Sequence, residues 1–600
     1  MRPTQTILGM VHQRGEKGLP LERVYRLLYN PNLYLTAYGN LYSNRGALTP
    51  GVEPEDTVEG MSLERINKII EKLKNRTYHW RPTRSREIPK KNGQVRRLGL
   101  PGWNDKLVQE VIRLILQAYY EPQFSEYSHG FRPGRGCHTA LQEIRTWGGT
   151  RWFIEGDITG CFDNIDFKVL LETINQNIKD KTFLKLLDKM LQAGYMQDGQ
   201  YQQTYSGVPQ GGVISPILSN IVLNELDKFV ENELLPTYNQ GQHKRINPEY
   251  NRLRTAVHYA KKERNIKQYK ALRKTMQQLP SQITHDPEFR RLKYVRYCDD
   301  FLLGYIGTRA EATVIKQQIA QFLQTIKLTL SEEKTLITNA VKDRARFLGY
   351  DIHIAQTNTR MTRKTSQAHP KRRAINGRPI FNVPKEVVKE WSNRFTKNGK
   401  PVHRPYLLQC SDYEITQTYG LEFQGLVNYY ALAYDVGKLY QVKHHFETSL
   451  IKTIANKHRR SSQWVIRKYK CQSKDGVKAI VVEVPNPNNP ERPLTAKFGD
   501  KPIRQNRQAI IVDRKAHFYH GRNELVSRLL ANECELCGSS EQIRGHHVRK
   551  LADVKKKYKT QQNPPAWAVF MMARHRKVVF VCQQCHSAIH TGKYDGTKVK

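Results

Sequence analysis

The 600-residue sequence has no apolar run near the roughly 18 residues that a transmembrane helix requires. Its first residues, MRPTQTILGMVHQRGEKG, lack the apolar core of a secretory signal peptide. It also has no internal repeat and no long low-complexity tract. We therefore expect an intracellular protein, bacterial cytoplasmic or organellar, that is neither secreted nor inserted in a membrane.

Acidic residues are scarce relative to basic ones. The sequence contains 98 Lys and Arg against 55 Asp and Glu, which gives a formal charge of +43 and a mean hydropathy of −0.67. Such an excess of positive charge favours polyanionic partners, and nucleic acid above all. The length predicts about four domains rather than one.

Cysteine is sparse until the C-terminal end of the chain. Five of the nine cysteines are scattered singly, which indicates a reducing compartment. The other four form two CxxC pairs, Cys534 with Cys537 and Cys582 with Cys585. Four thiolates are typical of a structural, tetrahedral Zn²⁺ site. The second pair, CQQCH, also matches a c-type haem attachment signal, but haem would leave the first pair and the nearby histidines unexplained.

Hydrophobic periodicity predicts helices separated by short strands. The helices are expected at 62–75, at 104–124 with an Asn/Asp cap, at 217–235, within the charged stretch 240–292, at 310–326 and across 385–465. Hairpins are expected at 87–103 and 294–307, and a buried strand at 151–157. The basic stretch 362–384 has the composition of a linker, and 484–506 that of a loop.

Three carboxylates stand where apolar strands end. Asp157 follows one predicted strand, and Asp299 and Asp300 lie at the tip of the second hairpin. A single Asp in such a place is usually a turn residue. Three carboxylates from neighbouring strand ends can instead hold two divalent cations for an in-line phosphoryl transfer.

These carboxylates belong to an ordered series of motifs: DITGCFD at 157–163, SGVPQGGVISPILSNIVLNELD at 206–227, YCDD at 297–300 and FLGY at 347–350. The series resembles the palm of a reverse transcriptase. HGFRPGRGCHTAL at 129–141 and SLIKTIANKHR at 449–459 extend the resemblance, over essentially the whole chain, to group II intron-encoded reverse transcriptases, which also act as splicing maturases. Cys298 departs from the commonest form, which has Ala. We expect it in a strand, where it need not disturb the aspartates.

The resemblance implies a two-Mg²⁺ polymerase site. Asp157 and Asp299 would bind both ions together with the backbone carbonyl of Ile158, and Asp300 would support them. FLGY would be the primer grip.

The resemblance also implies residues that contact the incoming dNTP and the template. Phe162 would exclude a 2′-OH, although it could equally be a core aromatic. Gln210 and Gly211 would approach the nascent base pair. For the remaining three residues a solvated basic surface is the alternative: these are Lys90 and Arg96, which would contact the triphosphate, and Lys334, which would protonate the leaving pyrophosphate.

The helical region 385–465 resembles the thumb, or domain X, of the same family. Its tyrosines and basic residues together suit an RNA surface, although most of the tyrosines are expected in the core. The residues concerned are Tyr429, Tyr430, Tyr434, Lys438, Lys443, Lys452, Lys457, Arg459 and Arg460.

The segments GHHVRKL and CQQCHSAIH resemble an HNH endonuclease of the ββα-metal type. His586 and His590, one helical turn apart, and His546 would bind a divalent ion, expected to be Mg²⁺, and His547 would be the general base. In place of the usual Asn before the last helix, the sequence has His575 and Lys577. A zinc-stapled DNA-binding module without cleavage is the alternative.

The sequence thus predicts an α+β multidomain protein. Its expected parts are an N-terminal extension (1–80), right-hand polymerase fingers and palm (81–360), a basic linker (361–384), the α-helical thumb (385–480), a DNA-binding region (481–530) and a zinc-stapled HNH module (531–600). Expected partners are intron RNA, target double-stranded DNA and dNTPs. The predicted function is RNA-directed DNA polymerisation, splicing assistance and target nicking that primes synthesis during retrohoming. The alternatives are a maturase without catalysis and a polymerase of another retroelement, such as a retron.

Overall fold

The computed structural model describes the chain apart from residues 1, 45, 90–92, 94, 208–210, 284–285, 358–375, 474, 487–490, 513–523, 559–560, 562–563, 575 and 595–600, and apart from the side chains at 552, 555 and 556. Lys90, Gln210, His575 and most of the predicted linker therefore lie outside the described residues. Within the described part, no helix combines the length and the apolar character needed to cross a membrane.

The protein is a mixed α/β molecule with several domains. Its first part contains α1 (Thr4–Glu16), α2 (Pro31–Leu41), α3 (Leu63–Lys74), β1 (Thr83–Pro89), β2 (Val95–Leu100), α4 (Trp103–Tyr120) and α5 (Cys137–Ile144). Its middle part contains β3 (Trp152–Gly156), α6 (Cys161–Asn164), α7 (Phe167–Asn177), α8 (Lys181–Leu191), β4 (Tyr195–Gln197), β5 (Gln200–Gln202), α9 (Ser215–Phe229), α10 (Leu235–Tyr238), α11 (Pro248–Lys262), α12 (Ile266–Gln278), β6 (Arg291–Tyr297), β7 (Asp300–Ile306), α13 (Arg309–Thr325), β8 (Leu336–Asn339), β9 (Ala345–Phe347) and β10 (Tyr350–Ile354).

The last part begins with a strand that joins the preceding hairpin. It contains β11 (Pro379–Asn382), α14 (Lys385–Asn393), β12 (Thr396–Lys397), β13 (Lys400–Pro401), α15 (Asp412–Tyr429), α16 (Leu439–His458), α17 (Ser462–Tyr469), β14 (Lys470–Gln472), β15 (Lys478–Val484), β16 (Leu494–Phe498), α18 (Glu524–Ala531), β17 (Arg544–His547), α19 (Leu551–Lys557), α20 (Ala566–Ala573), β18 (Val578–Val581) and α21 (Gln583–Thr591).

A four-stranded antiparallel sheet in the order β6-β7-β3-β8, here called the central sheet, has a core on each face. Alternate residues of a strand point to opposite faces, so Ile154 and Leu303 enter one core while Phe153 and Leu302 enter the other. The first core continues into the N-terminal helices and the C-terminal module, defined as residues 524–594. The second continues into α14–α17. The N-terminal helices and the C-terminal module therefore share one apolar core.

Most of the predicted elements are confirmed. The amphipathic helix is α3, capped by Ser62, whose side chain accepts a hydrogen bond from the Arg65 N–H. The two hairpins are β1–β2 and β6–β7, the buried strand is β3, and α9 and α13 occupy the predicted helical stretches.

Three local predictions are wrong. The helix expected from residue 104 begins at Trp103. The predicted Asn/Asp cap within the sequence is replaced by Asp56, whose side chain accepts the N–H of Asn104. The loop expected at 484–506 contains β16, which pairs with β15 and packs on α15. The linker expected at 361–384 contains β11, which pairs with β10. In the last two cases tertiary pairing overrides a composition rich in Pro, Asn and Arg.

A fully buried ion pair lies beneath the central sheet. Arg296 of β6 and Asp227 of α9 have no exposed side-chain surface, and their nearest N–O distance is 2.5 Å. Arg296 donates two hydrogen bonds to Asp227, and Tyr294 donates a third, at 2.8 Å. Arg296 Nη1 also donates to the carbonyl oxygen of Cys298, at 2.8 Å, in the turn that follows β6. The pair therefore connects α9 to the tip of the β6–β7 hairpin.

Replacing Asp227 should leave the buried guanidinium without its counter-charge. We expect Asp227→Ala to lower the free energy of unfolding by about 3–5 kcal/mol, measured by chemical denaturation followed through tryptophan fluorescence. Glu225→Ala is the matched control on the same helix, because its ion pair with Lys228 is partly exposed and should contribute at most about 1 kcal/mol. Equal losses in the two variants would contradict a special role for the buried pair.

Candidate active sites and metal centres

The β6–β7 hairpin turns through two residues, Cys298 and Asp299, because Tyr297 pairs directly with Asp300. Cys298 has a φ of 58°, the left-handed region, and is buried. The expectation that it continues a strand is wrong. The backbone of Gly130 approaches so closely that a Cβ there would lie 2.3 Å from the Cys298 sulfur. Tight packing thus holds Cys298, the residue before Asp299, in its turn conformation.

The three predicted polymerase carboxylates lie together at one end of the central sheet. Asp157 directly follows β3, whose last residue pairs with the residue after Asp300. Burial, followed by the charges of Asp299 and Asp157, raises the pKa of Asp300 to about 7. Burial and Asp157 also raise the pKa of Asp299. The raised pKa values of Asp299 and Asp300 reflect crowded negative charge, which a bound cation would relieve, and oxygen ligands are those that Mg²⁺ prefers.

Two basic side chains lie near the carboxylates. Lys334 Nζ is 2.8 Å from Asp157 Oδ2, and two thirds of its side chain remains exposed. The hydrogen bond with Asp157 raises the pKa of Lys334. Arg96 on β2 is exposed and close enough for its charge to oppose the rise in the pKa of Asp299. Ile158 is buried immediately after Asp157.

A cleft of about 490 Å³ lies between β1–β2 and the segment 203–207, and Arg96 is part of its lining. Gly211 lies close to the same hairpin, and a Cβ added to it would be only 3.0 Å from the Gly99 carbonyl oxygen. Its φ is 105°. Only glycine adopts this backbone conformation readily. Phe162, on α6, is half-buried and belongs to neither core.

The predicted primer grip is the two-residue turn between β9 and β10. The Tyr429 hydroxyl donates to the Leu348 carbonyl at 2.9 Å, and the Tyr430 hydroxyl donates to the Gly349 carbonyl at 3.1 Å. These tyrosines come from α15 and the residue after it, so they join the helical domain to the turn. Tyr434 is 38% exposed.

Most of the basic side chains predicted to contact RNA in the helical domain bind acceptors of the chain itself. Lys443 donates to the Gly499 carbonyl and Lys452 to the Pro401 carbonyl. Lys438 is paired with Asp435 and Lys457 with Asp412. Arg459 and Arg460, in contrast, are exposed after the end of α16.

The four paired cysteines converge in the C-terminal module. The Cys537 and Cys582 sulfurs are 3.7 Å apart, and all four sulfurs lie within 4.8 Å of one another. Burial and the neighbouring sulfurs raise the pKa of the Cys585 thiol. This donor set consists of cysteine sulfurs alone. It fits a metal ion that accepts soft ligands in tetrahedral geometry.

A second cluster joins three of the predicted histidines to a residue that the motif does not contain. The ring nitrogens of His546, His586 and His590 lie 2.9, 2.8 and 3.0 Å from Oε1 of Glu59. Burial opposes ionisation of Glu59, but hydrogen bonds from His546 and His586 lower its pKa. Three imidazoles and a carboxylate are a donor set that fits a divalent cation.

His547 follows His546 on β17 but has different neighbours. Its Nε2 lies 2.9 Å from the hydroxyl of Tyr38 on α2, and its Nδ1 lies 3.0 Å from the Gly545 carbonyl. Burial lowers the pKa of His547 to about 4, so the ring is neutral at pH 7 and able to accept a proton. Lys577 is exposed near the start of β18.

Sequence reasoning missed Glu59 and Tyr38. Glu59 is 488 positions from His547, whose N–H it accepts at 2.7 Å. Neither residue belongs to a recognisable metal or catalytic motif, so only the tertiary fold reveals them.

The comparisons with known proteins cover the whole chain. Residues 88–259 match a family model for reverse transcriptase (RNA-dependent DNA polymerase), 377–490 one for type II intron maturase, and 534–586 one for AI2M/AI1M-like HNH endonuclease. The chain is 39% identical to the group II intron-encoded protein LtrA of Lactococcus lactis subsp. cremoris, over 99% of this chain and 100% of that protein. It is 32% identical to the putative COX1/OXI3 intron 1 protein of Saccharomyces cerevisiae, over 95% of this chain and 69% of that protein.

The four-cysteine cluster should bind one structural Zn²⁺. We expect Cys582→Ala to lose the zinc and to unfold the C-terminal module, because three thiolates leave the site open and the module depends on its metal. Metal content measured after gel filtration, together with protease susceptibility, checks this. Cys471→Ala is the control, since Cys471 is an exposed cysteine outside the cluster. A full zinc equivalent in Cys582→Ala would contradict the four-thiolate site.

Proposed function

Because this chain belongs to the family of group II intron-encoded proteins, we propose a division of the family's activities among its sites. The chain is a reverse transcriptase and maturase with an HNH endonuclease domain. Its reverse transcriptase and maturase domains bind RNA, and its HNH domain binds DNA. The convergence of three carboxylates at the end of the central sheet is the observation that best supports the proposal for polymerisation.

We assign the palm to the central sheet with α9 and α13, the fingers to the β1–β2 hairpin, and the thumb to α14–α17. The boundary expected between thumb and DNA-binding region, at 480/481, passes through β15, whose sheet packs on α15. We therefore place the end of the thumb unit after Phe498. The segment from there to α18 would be the DNA-binding region.

In the polymerase site, Asp157 and Asp299 with the Ile158 carbonyl would hold two Mg²⁺ ions, and Asp300 would support them. When bound, the ions stabilise the attacking and leaving oxygens of the nucleotidyl transfer. Lys334 already approaches Asp157 and would donate a proton to the pyrophosphate as it leaves. Arg96, which lines the adjoining cleft, would hold the triphosphate of the dNTP together with Lys90.

The residues around the cleft would select the nucleotide and its position. Phe162 lies beside the cleft-lining residue Asp163 and would exclude the 2′-OH of a ribonucleotide. Gly211, with Gln210 before it, would let the backbone lie close to the nascent base pair.

In the nuclease site, His546, His586 and His590 would hold a divalent ion of their own, which we expect to be Mg²⁺. The ion, when bound, stabilises charge on the scissile phosphate. His547, which is neutral at pH 7, would take the proton of the attacking water at Nε2. The four cysteines would hold Zn²⁺ and fix β18 and α21. The helix α21 carries His586 and His590, and β18 pairs with the strand that carries His546.

Part of the intron RNA surface would be the helical hairpin α11–α12. Residues 248–278 contain nine Lys or Arg against two Glu, and eight of those basic side chains are exposed. Flexible cations on an exposed hairpin suit phosphate contacts that do not depend on sequence. Arg459 and Arg460 would extend the surface at the thumb.

Polymerisation should depend on the carboxylate at the hairpin tip. We expect Asp299→Asn to reduce DNA-primer extension on an RNA template by several orders of magnitude, because a charged metal ligand is lost. Intron RNA binding should be retained, since the RNA surface lies elsewhere. Asp343→Asn is the control, an acid in an exposed turn after β8. Near-normal extension by Asp299→Asn would exclude this site.

Nicking should depend on His547. We expect His547→Ala to abolish cleavage of target DNA by the complex of protein and intron RNA, because the water loses its proton acceptor. Zinc content and primer extension should persist, since neither uses this ring. Nicking at the normal rate by the variant would assign the general base to another residue.

A further inference from the structure

The segment 57–61 of the N-terminal region lies directly against the nuclease site. Met61 and Gly545 form an antiparallel bridge, in which the Gly545 N–H donates to the Met61 carbonyl at 2.9 Å and the Gly60 N–H donates to the Gly545 carbonyl at 3.0 Å. The segment thereby pairs with the edge of β17, the strand that carries His546 and His547. Backbone hydrogen bonds, and not only a single side-chain contact, therefore hold the segment in position.

Glu59 uses both carboxylate oxygens in this place. Oε1 lies among the nitrogens of the three histidines, and Oε2 accepts the His547 N–H at 2.7 Å. A carboxylate oxygen and a phosphate oxygen are both anionic, hard ligands for a divalent cation. Glu59 therefore fills a ligand position beside the histidines that a phosphate oxygen of DNA could otherwise take.

Tyr38 covers the other functional group of the site. Its hydroxyl lies 2.9 Å from His547 Nε2, the atom that would take a proton from water, and Tyr38 itself is fully buried. His547 is 7% exposed. Tyr38 thus takes the hydrogen-bonding position at His547 Nε2 that an attacking water would need.

We propose that Glu59 is a fourth ligand of the nuclease cation and that Glu59 and Tyr38 together close the nuclease site in the resting protein. This inference rests on the proposed assignment of the three histidines as metal ligands. The N-terminal region then competes with DNA for the cation. Cleavage requires a phosphodiester to displace Glu59 and His547 to separate from Tyr38.

The metal part of the proposal is tested by Co²⁺ binding to the full-length protein. One equivalent of Zn²⁺ first fills the cysteine site, which prefers Zn²⁺ to Co²⁺, and Co²⁺ is then titrated while its visible absorption is recorded. We expect Glu59→Gln to weaken Co²⁺ binding by about tenfold or more. The matched control is Glu55→Gln, the same charge change at an exposed position of the same loop, and it should bind Co²⁺ as the wild type does.

His590→Ala separates the two levels of the proposal. Weaker Co²⁺ binding in His590→Ala but not in Glu59→Gln overturns Glu59 as a ligand and keeps the histidine site. Unchanged binding in both variants overturns the histidine site itself.

The closing part is tested by nicking of double-stranded DNA at saturating Co²⁺. We expect Glu59→Gln and Tyr38→Phe each to nick several-fold faster than wild type, and Tyr38→Phe to keep the wild-type Co²⁺ affinity. A retained zinc equivalent shows that the module of each variant is folded. Unchanged or lower nicking in both variants overturns the closed resting state.

Discussion

The shape of the polymerase site depends on the buried pair between Arg296 and Asp227. A guanidinium with no contact to water must have its charge balanced and its donors satisfied. Asp227 supplies the charge, while Ser128 and the Cys298 carbonyl accept further hydrogen bonds. The last of these bonds fixes the peptide that precedes Asp299. A helix, a strand and the turn that carries Asp299 are therefore oriented by a single cation that is fully buried.

The two sites differ in how the chain builds them. The polymerase carboxylates come from adjacent strands of one sheet, so their spacing follows from strand pairing. The nuclease cluster joins a strand, a helix and a loop from the opposite end of the sequence. A site of the first kind is as stable as its sheet. A cluster of the second kind keeps all its ligands only while two distant parts of the chain remain in contact, which makes it suited to control.

The sequence predicts what local patterns encode and misses what only tertiary contact creates. The grouping of Asp157, Asp299 and Asp300 could be predicted because they stand beside the ends of apolar strands, and β3, β6 and β7 have the predicted positions. The left-handed turn at Cys298 could not, since it depends on the approach of Gly130. Tyrosines interleaved with basic residues predicted an RNA surface in the helical region 385–465, yet Lys443 and Lys457 bind acceptors of the chain itself. Glu59 and Tyr38 belong to no motif, and the role proposed for them depends on their contact with the C-terminal module.

The packing of the C-terminal module on the N-terminal helices has a consequence for synthesis on the ribosome. Domains generally fold from the N-terminus as the chain emerges, and Glu59 precedes His547 by 488 residues. The loop that closes the nuclease is thus made long before the nuclease. When the last strand and helix leave the ribosome, they meet a partner surface that has already folded. The proposed closed state would therefore form together with the nuclease site, as the C-terminal module folds against Glu59 and Tyr38.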